Sequence, residues 1–134
     1  MSGPMRILVA DDNAAVRRGI VGLLSREADW KVCGEAKDGA EALQQAQKHQ
    51  PDLVLLDISM PGMNGLEVAR LLRRDLPETR IVVISQHDAA HLWPSVVEAG
   101  GDACLDKNRL AVDLLASIKN LWQGSEGSSL ARTG

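Results

Sequence analysis

Aromatic side chains are almost absent from this sequence. Phenylalanine and tyrosine do not occur, and tryptophan occurs three times, as Trp30, Trp93 and Trp122. The core must therefore be built from aliphatic side chains, and tryptophan must supply whatever aromatic packing exists.

Cysteine is also scarce, since the chain contains two, Cys33 and Cys104. They cannot form the disulfide framework of a small secreted domain, and their spacing is not that of a metal site. We therefore expect reduced thiols and a cytoplasmic protein.

Long apolar runs and blocks of like charge are missing too. No stretch approaches the ~20 apolar residues of a membrane span, and the first run, Ile7–Ala10, is too short for a signal peptide. The formal net charge of −3, without charge clusters, gives no indication of direct binding to nucleic acid or to a membrane surface. What is present, 45% apolar and 25% charged residues, is typical of one globular domain.

Five short apolar runs alternate with helical patterns along the chain. The predicted strands are Arg6–Ala10, Lys31–Ala36, Asp52–Leu56, Arg80–Ser85 and Ala103–Asp106. The third and fourth runs are apolar without polar alternation, which indicates strands that are covered on both faces, as in a parallel sheet with helices on both sides.

The intervening segments have helical spacing and recognisable starts. Asp38 is expected to cap helix two and Asn64 to cap helix three, because Asp and Asn accept hydrogen bonds from the first free amides of a helix. Helix four is predicted over about Ala89–Ala99 with Pro94 inside it. We expect either a late start, with Pro94 in the first turn, or a kink.

Alternating strands and helices predict a doubly wound α/β fold with a five-stranded parallel sheet. The leading arrangement is the flavodoxin-like strand order 2-1-3-4-5 with five helices. The domain is predicted over residues 1–122, with its core at about 5–122. Residues 123–134, which are rich in Gly and Ser, are predicted to form a flexible tail or linker.

Acidic residues follow the two strands on either side of the switch in strand order. Asp11 and Asp12 follow strand one, and Asp57 follows strand three. Ligands bind beyond the carboxyl ends of strands at such a switch point, so the three carboxylates should meet in one pocket. Their mutual repulsion calls for a cation, and Mg²⁺ is the hard divalent ion that oxygen ligands favour. Taken singly, each aspartate could equally be a helix cap or a turn residue.

Two further strand ends add groups that suit a phosphoryl ligand. Ser85 ends strand four and can donate a hydroxyl hydrogen bond, and Lys107 follows strand five and can place an ammonium against negative charge. In isolation Ser85 would be read as a turn residue and Lys107 as a solvated surface lysine.

These residues together resemble the receiver domain of bacterial response regulators. The resemblance rests on Asp11-Asp12, on the segment Asp57-Ile58-Ser59-Met60-Pro61-Gly62-Met63-Asn64-Gly65, on Ser85 and on Lys107, and it covers about residues 5–122. Ser85-Gln86-His87-Asp88 and the helix-five sequence are most similar to NarL/FixJ-type receivers, whose usual second domain is a DNA-binding helix-turn-helix.

The resemblance implies a function and a role for each site residue. Asp57 would accept a phosphoryl group from a sensor histidine kinase. Mg²⁺, with Mn²⁺ as a substitute, would be held by Asp11, Asp12, Asp57 and the backbone carbonyl of Ser59. Ser85 and Lys107 would contact the phosphoryl oxygens and relay the change to the face formed by helix four, strand five and helix five. Such a protein is a signalling switch that catalyses only its own phosphotransfer and slow dephosphorylation.

Three positions depart from the family pattern or adjust it. Cys104 stands where most receivers have the aromatic residue that rotates on activation, so that switch is predicted to be absent or replaced. Gln86 replaces a small residue after Ser85, and His87 occupies a position that tunes dephosphorylation.

Strands two and five lie at opposite edges of the predicted sheet, so no disulfide between Cys33 and Cys104 is expected.

Other functions on the same fold remain open at this point. A phosphatase that forms an aspartyl-phosphate usually has a second acid two residues after the nucleophile, where this chain has Ser59. A flavodoxin-like binder would need stacking aromatics near the strand ends, and a pseudo-receiver would lack part of the acidic set. The sequence leaves the cognate kinase, the output domain and homodimer formation undetermined.

Overall fold

The structure is a computed structural model that describes residues 3–60, 62–86 and 88–126, with side chains described as far as Trp122. The described strands are β1 (Met5–Ala10), β2 (Trp30–Ala36), β3 (Leu53–Asp57), β4 (Arg80–Ser85) and β5 (Ala103–Asp106). The described α-helices are α1 (Ala14–Leu24), α2 (Gly39–His49), α3 (Gly65–Asp75), α4 (Ala89–Glu98) and α5 (Leu110–Glu126).

All five strands are parallel and lie in the order β2-β1-β3-β4-β5. The predicted doubly wound sheet with five helices is therefore confirmed. β2 lies on one side of β1 and β3 on the other, so the strand order reverses at β1. The carboxyl ends of β1 and β3 are therefore neighbours at this switch point.

Helices on both faces of the sheet cover an aliphatic core. One layer packs α2, α3 and α4 against side chains such as Leu8, Val54 and Val83. The other packs α1 and α5 against the alternate side chains of the same strands, among them Ile7 and Leu55. Successive strand residues point to opposite faces, and helices cover both faces. Every residue of β3 is therefore buried, as its continuous apolar sequence predicts.

Each of the first four helices starts at a short polar residue. The Asp38 side chain accepts a hydrogen bond from the Glu41 amide at 2.8 Å, and the Asn64 side chain accepts one from the Leu66 amide at 2.8 Å. Both predicted caps are confirmed. Asn13 and Asp88 cap α1 and α4 in the same way.

The structure confirms the predicted start of helix four at about Ala89 and excludes the alternative of a late start. α4 begins at Ala89, directly after its Asp88 cap, so Pro94 lies in the helix interior and not in its first turn. The late start was wrong because the Asp88 side chain, which accepts a hydrogen bond from the Ala90 amide at 3.0 Å, already satisfies the helix start. Pro94 is exposed to solvent.

The expected boundary at residue 123 falls inside a helix. α5 continues through Glu126, and residues 127–134 of the expected tail lie outside the described residues. Half-buried Trp122 packs against the α1–α5 layer and lines a surface cleft with Pro51 and Arg80, near the amino ends of β3 and β4.

The two thiols lie far apart in the fold. Cys33 belongs to β2 and Cys104 to β5, which are the opposite edge strands of the sheet, and both are free. Among the described helices, none is long and apolar enough to cross a membrane.

Candidate functional site

Three aspartates meet beyond the carboxyl ends of β1 and β3. Asp11 directly follows β1, and its amide donates a hydrogen bond at 3.0 Å to the Ala36 carbonyl of β2. Asp57 is the last residue of β3 and pairs with Ile84 of β4. Asp11 and Asp57 are fully buried, whereas Asp12 is exposed, and carboxylate oxygens of all three lie within 4.8 Å of one another.

Local turns hold the two buried carboxylates. Oδ1 of Asp11 accepts a hydrogen bond from the Asn13 amide at 2.8 Å, and Oδ1 of Asp57 accepts one from the Ser59 amide at 2.8 Å. Each aspartate therefore accepts from the amide two residues later, a turn that Asp forms readily. In both cases the second oxygen, Oδ2, is left for the pocket.

Lys107 reaches both of these second oxygens. It starts a short 3₁₀ helix after β5, and its Nζ lies 3.0 Å from Oδ2 of Asp11 and 3.0 Å from Oδ2 of Asp57. Burial alone would lower the pKa of Lys107, but its contacts with Asp57 and Asp11 outweigh burial and raise that pKa above the ordinary 10.5. The ammonium is therefore the fixed positive charge of the site.

One ammonium does not satisfy the buried charge. Burial raises the pKa of Asp11 above its ordinary 3.8, and the negative charge of Asp57 adds to this, although the Asn13 amide and Lys107 act in the opposite direction. The Lys107 hydrogen bond goes to Asp57. Among the described residues, Asp11 Oδ2 is met only by the Lys107 ammonium at 3.0 Å, which it shares with Asp57.

The donor set fits a hard divalent cation. It offers oxygen atoms from three carboxylates, and the two that are fully buried share a single ammonium in the described part of the chain. Mg²⁺ takes one or two carboxylates together with water and phosphate oxygens, and exposed Asp12 lies where the pocket opens to solvent.

The remaining predicted residues surround this pocket. Ser85 is fully buried at the end of β4, and Gln86 follows it on the surface. Cys104 is half-buried in β5 against the layer formed by α2, α3 and α4. Ser59 is exposed in the turn after Asp57, and His87 lies outside the described residues.

Sequence reasoning missed one residue beside the site, Arg17. Its guanidinium donates a hydrogen bond at 2.7 Å to the main-chain carbonyl of Asp11 and pairs with Glu35 of β2 at 2.9 Å. A signal was available, because Arg17, Ile20 and Leu24 follow the spacing i, i+3, i+7 and so share the inward side of α1.

Comparison with known proteins decides the family. The model of the response regulator receiver domain matches residues 7–119, which is most of the chain. The chain belongs to the response regulator receiver domain family. The predicted resemblance is confirmed, and with it the NarL-type relationship.

Relatives of this receiver domain come from several bacteria. The oxygen regulatory protein NreC of Staphylococcus epidermidis is 33% identical over 121 residues, covering 90% of this chain and 56% of that protein. The receiver domain of the response regulator NarL from Mycobacterium tuberculosis superposes with a TM-score of 0.83 at 34% identity, covering 92% and 99% of the two chains. A LuxR-family two-component response regulator from Aurantimonas sp. gives 0.85 at 29% identity, covering 91% and 87%.

These relatives place the domain in two-component signalling. Receivers of the LuxR and NarL type belong to a phosphorylation-based signalling system, and this receiver is a signalling domain, not a conventional enzyme. The chain spans about half the length of the curated relatives that it matches.

Proposed function

We propose that this receiver domain is a phosphorylation-dependent switch in which Asp57 accepts a phosphoryl group from a sensor histidine kinase. The observation that carries the proposal is the meeting of three carboxylates and one ammonium in a single pocket, with Lys107 Nζ 3.0 Å from both Asp11 and Asp57. Such a set can hold a cation and a phosphoryl group side by side.

Asp11, Asp12 and Asp57, with the backbone carbonyl of Ser59, would hold Mg²⁺ or, as a substitute, Mn²⁺. Two observations support this assignment: burial raises the pKa of Asp11, and Asp11 shares one ammonium with Asp57. The bound cation would supply charge neutralisation for the phosphoryl oxygens.

The phosphotransfer step is a simple displacement. A carboxylate oxygen of Asp57 forms a bond to phosphorus while the P–N bond of phosphohistidine breaks, and the leaving ring nitrogen keeps the electron pair and takes up a proton. Acetyl phosphate can replace the kinase, in which case a P–O bond breaks and acetate leaves. Lys107 positions Asp57 before transfer and faces the phosphoryl oxygens afterwards.

The new charge would change the surface through nearby groups. Phosphorylation adds about −1.5 to −2 charge and three acceptor oxygens to Asp57. Ser85, buried at the end of the neighbouring strand, would be drawn toward those oxygens, and the loop before α4 would follow. Cys104 is too small to act as the usual aromatic switch, and Gln86 with His87 would set how easily water reaches the phosphoryl group.

The proposal also covers the extent of the domain, its output and its partners. The receiver, expected over residues 1–122, would include α5 through Glu126, and the rest of the expected tail 123–134 would begin a linker to a DNA-binding output domain. The length of the curated relatives supports this, as do relatives named transcriptional regulatory proteins. Partners would be a cytoplasmic sensor histidine kinase domain and, on activation, a second copy of the chain, while this domain itself would contact neither nucleic acid nor membrane.

The test is labelling with a small phosphodonor. The purified chain is incubated with acetyl phosphate or phosphoramidate and Mg²⁺, and its intact mass is followed. We expect a gain of one phosphoryl group that disappears in Asp57→Asn or with EDTA and persists in Asp29→Asn, which removes an exposed aspartate outside the site.

Each contrary outcome would contradict a different part of the proposal. Labelling that survives in Asp57→Asn would place the acceptor elsewhere. Turnover of many phosphoesters per chain would indicate a phosphatase. Failure to label with any donor, including a phosphorylated histidine kinase, would indicate a pseudo-receiver.

A further inference from the structure

Arg17 joins three elements next to the acidic pocket. It lies in the first turn of α1 and is largely buried, with its side chain 20% exposed. Its Nη1 donates to the Asp11 carbonyl at 2.7 Å, and its Nε donates to Oε1 of Glu35 on β2 at 2.9 Å. The guanidinium therefore ties the end of β1 to both α1 and the edge strand.

The carbonyl that Arg17 holds belongs to the peptide bond between Asp11 and Asp12. That bond is planar, so fixing its oxygen also fixes the direction in which the Asp12 backbone leaves. The Asn13 amide already holds Oδ1 of Asp11, and Ala36 accepts from the Asp11 amide. With Arg17 added, Asp11 is held at its amide, its side chain and its carbonyl, and the backbone of Asp12 follows directly from it.

Stability alone does not explain this placement. A cation in the first turn of a helix opposes the helix dipole, which favours anions there, and α1 has no acidic residue in its first turn. The ion pair with Glu35 involves a carboxylate that is 46% exposed, and such pairs contribute little to folding. The charge-assisted bond to the Asp11 carbonyl is the contact with a specific geometric effect.

We propose that Arg17 is a positioning residue of the divalent-cation site, which raises the affinity for Mg²⁺ by fixing the Asp11–Asp12 peptide, with Glu35 orienting its guanidinium. This inference rests on the proposed function. It assigns to Arg17 no contact with the cation or with the phosphoryl group.

Charge and positioning predict opposite results when Arg17 is removed. Loss of a positive charge near three carboxylates should strengthen cation binding by simple electrostatics. Loss of a group that orients ligands should weaken it, typically 10- to 100-fold at metal sites. Arg18, the exposed neighbour on α1, carries the same charge and serves as the matched control.

The experiment measures Mg²⁺ affinity by titration calorimetry without a phosphodonor. We expect Arg17→Ala to bind Mg²⁺ about tenfold more weakly, and Glu35→Gln roughly two- to threefold more weakly, since it disturbs only the orientation. Arg18→Ala should bind as the unmodified chain does, or slightly more tightly. Arg17→Lys keeps the charge but replaces the forked guanidinium with a single ammonium. It should therefore lose an intermediate amount of Mg²⁺ affinity, with an unchanged melting temperature.

A second readout separates positioning from catalysis. The labelling rate with acetyl phosphate is measured against Mg²⁺ concentration. For Arg17→Ala the half-saturating Mg²⁺ concentration should rise about tenfold, while the rate at saturation stays close to that of the unmodified chain. Thermal melting is recorded for every variant.

Three results would overturn the inference. They are unchanged or tighter Mg²⁺ binding by Arg17→Ala, an equal loss in Arg18→Ala, and a fall in melting temperature without a change in affinity. If Arg17→Ala does not fold, Arg17→Lys decides the question through the same titration.

The proposed function and this inference can fail separately. An unmodified chain that neither binds Mg²⁺ nor becomes labelled would contradict the proposed function itself. An unmodified chain that does both, with an Arg17→Ala variant of the same Mg²⁺ affinity, would contradict this inference alone.

Discussion

Gly65 and Gly22 are both helical residues, yet their surroundings differ. A Cβ on Gly65 would lie 2.3 Å from Cα and 2.6 Å from Cβ of Ile58, the residue that follows the proposed phospho-acceptor. A Cβ on Gly22 would meet no heavy atom within 4 Å. The first glycine allows α3 to approach the site loop closely, and the second only leaves backbone freedom in α1.

Matched alanine substitutions should therefore act in opposite directions. We expect Gly65→Ala to lower the free energy of unfolding by about 3 kcal/mol or more, because backbone would have to move. Gly22→Ala should raise it by roughly 0.5–1 kcal/mol through helix propensity and a less flexible unfolded chain. Urea titration measures both values. A mild effect of Gly65→Ala would mean that the loop after β3 yields easily.

Asp11 links the site to the pH dependence of stability. Its pKa in the folded chain is raised above 3.8, chiefly by burial. In the window above 3.8 the native state therefore binds more protons at this residue than the unfolded state does. The stability that Asp11 contributes is present at low pH and is lost as pH rises through its folded pKa.

Asp11→Asn should remove this pH dependence. The difference in the free energy of unfolding between the unmodified chain and Asp11→Asn should grow in favour of the variant from about pH 4 to about pH 7, in EDTA and low salt. Chemical denaturation at several pH values checks this, and the subtraction cancels the groups that do not interact with Asp11. A pH-independent difference would show that the native Asp11 carboxyl titrates like an unfolded one.

The site was predictable wherever a charged residue stood at a strand end. Asp11, Asp57 and Lys107 were placed by topology alone, because parallel strands bring their carboxyl ends to one edge. Arg17 was not predicted as a site residue, because its neighbour Arg18 has the same chemistry and only helical periodicity shows which of the two side chains turns inward. The backbone carbonyl it contacts has no signature in the sequence.

At the scale of elements, polar ends were harder to predict than apolar centres. β4 and β5 have the predicted bounds, whereas β3 ends at Asp57, one residue later than the apolar run indicates. The Asp57 backbone still pairs with Ile84, and the Ile58 amide donates to the Ile84 carbonyl at 3.1 Å. Backbone pairing thus extends the strand to include a polar residue, and the hydrophobicity of the side chains does not indicate this extension.

α4 begins at Ala89 as predicted, but the sequence did not exclude a later start with Pro94 in the first turn. Pro94 has no amide hydrogen, so the Ala90 carbonyl lacks its donor four residues on. Pro94 is exposed, and removing its ring should therefore cost little packing.

Pro94→Ala should strengthen α4. We expect the free energy of unfolding to rise by about 1–2 kcal/mol, somewhat below the ~3 kcal/mol penalty of an interior proline, because proline also restricts the unfolded chain. Hydrogen exchange should slow for the amides of α4 in particular. Ser95→Ala, an exposed change at the next position, controls for propensity and should shift stability by no more than ~0.5 kcal/mol. An unchanged exchange rate in α4 would mean that the helix already avoids the missing bond.

At the scale of the whole molecule, the acidic pocket is a local cost that a bound cation would remove. Two fully buried carboxylates share one ammonium, and a third carboxylate lies within 4.8 Å. Repulsion between the two buried carboxylates opposes folding, while most other buried side chains are apolar. Cation binding should therefore appear as increased stability of the entire domain.

Mg²⁺ should raise the melting temperature of the domain through this linkage. At ten times its dissociation constant the gain is ~1.4 kcal/mol, which corresponds to roughly 5 °C for a domain of this size. Asp12→Asn is the informative variant, because Asp12 is exposed and its loss should leave the metal-free melting temperature nearly unchanged while reducing the Mg²⁺-induced shift. Asp29→Asn should keep the full shift, and NaCl at matched ionic strength should not reproduce it. A shift of equal size in Asp12→Asn and in the unmodified chain would mean that Mg²⁺ stabilises the domain from somewhere other than the three-aspartate pocket.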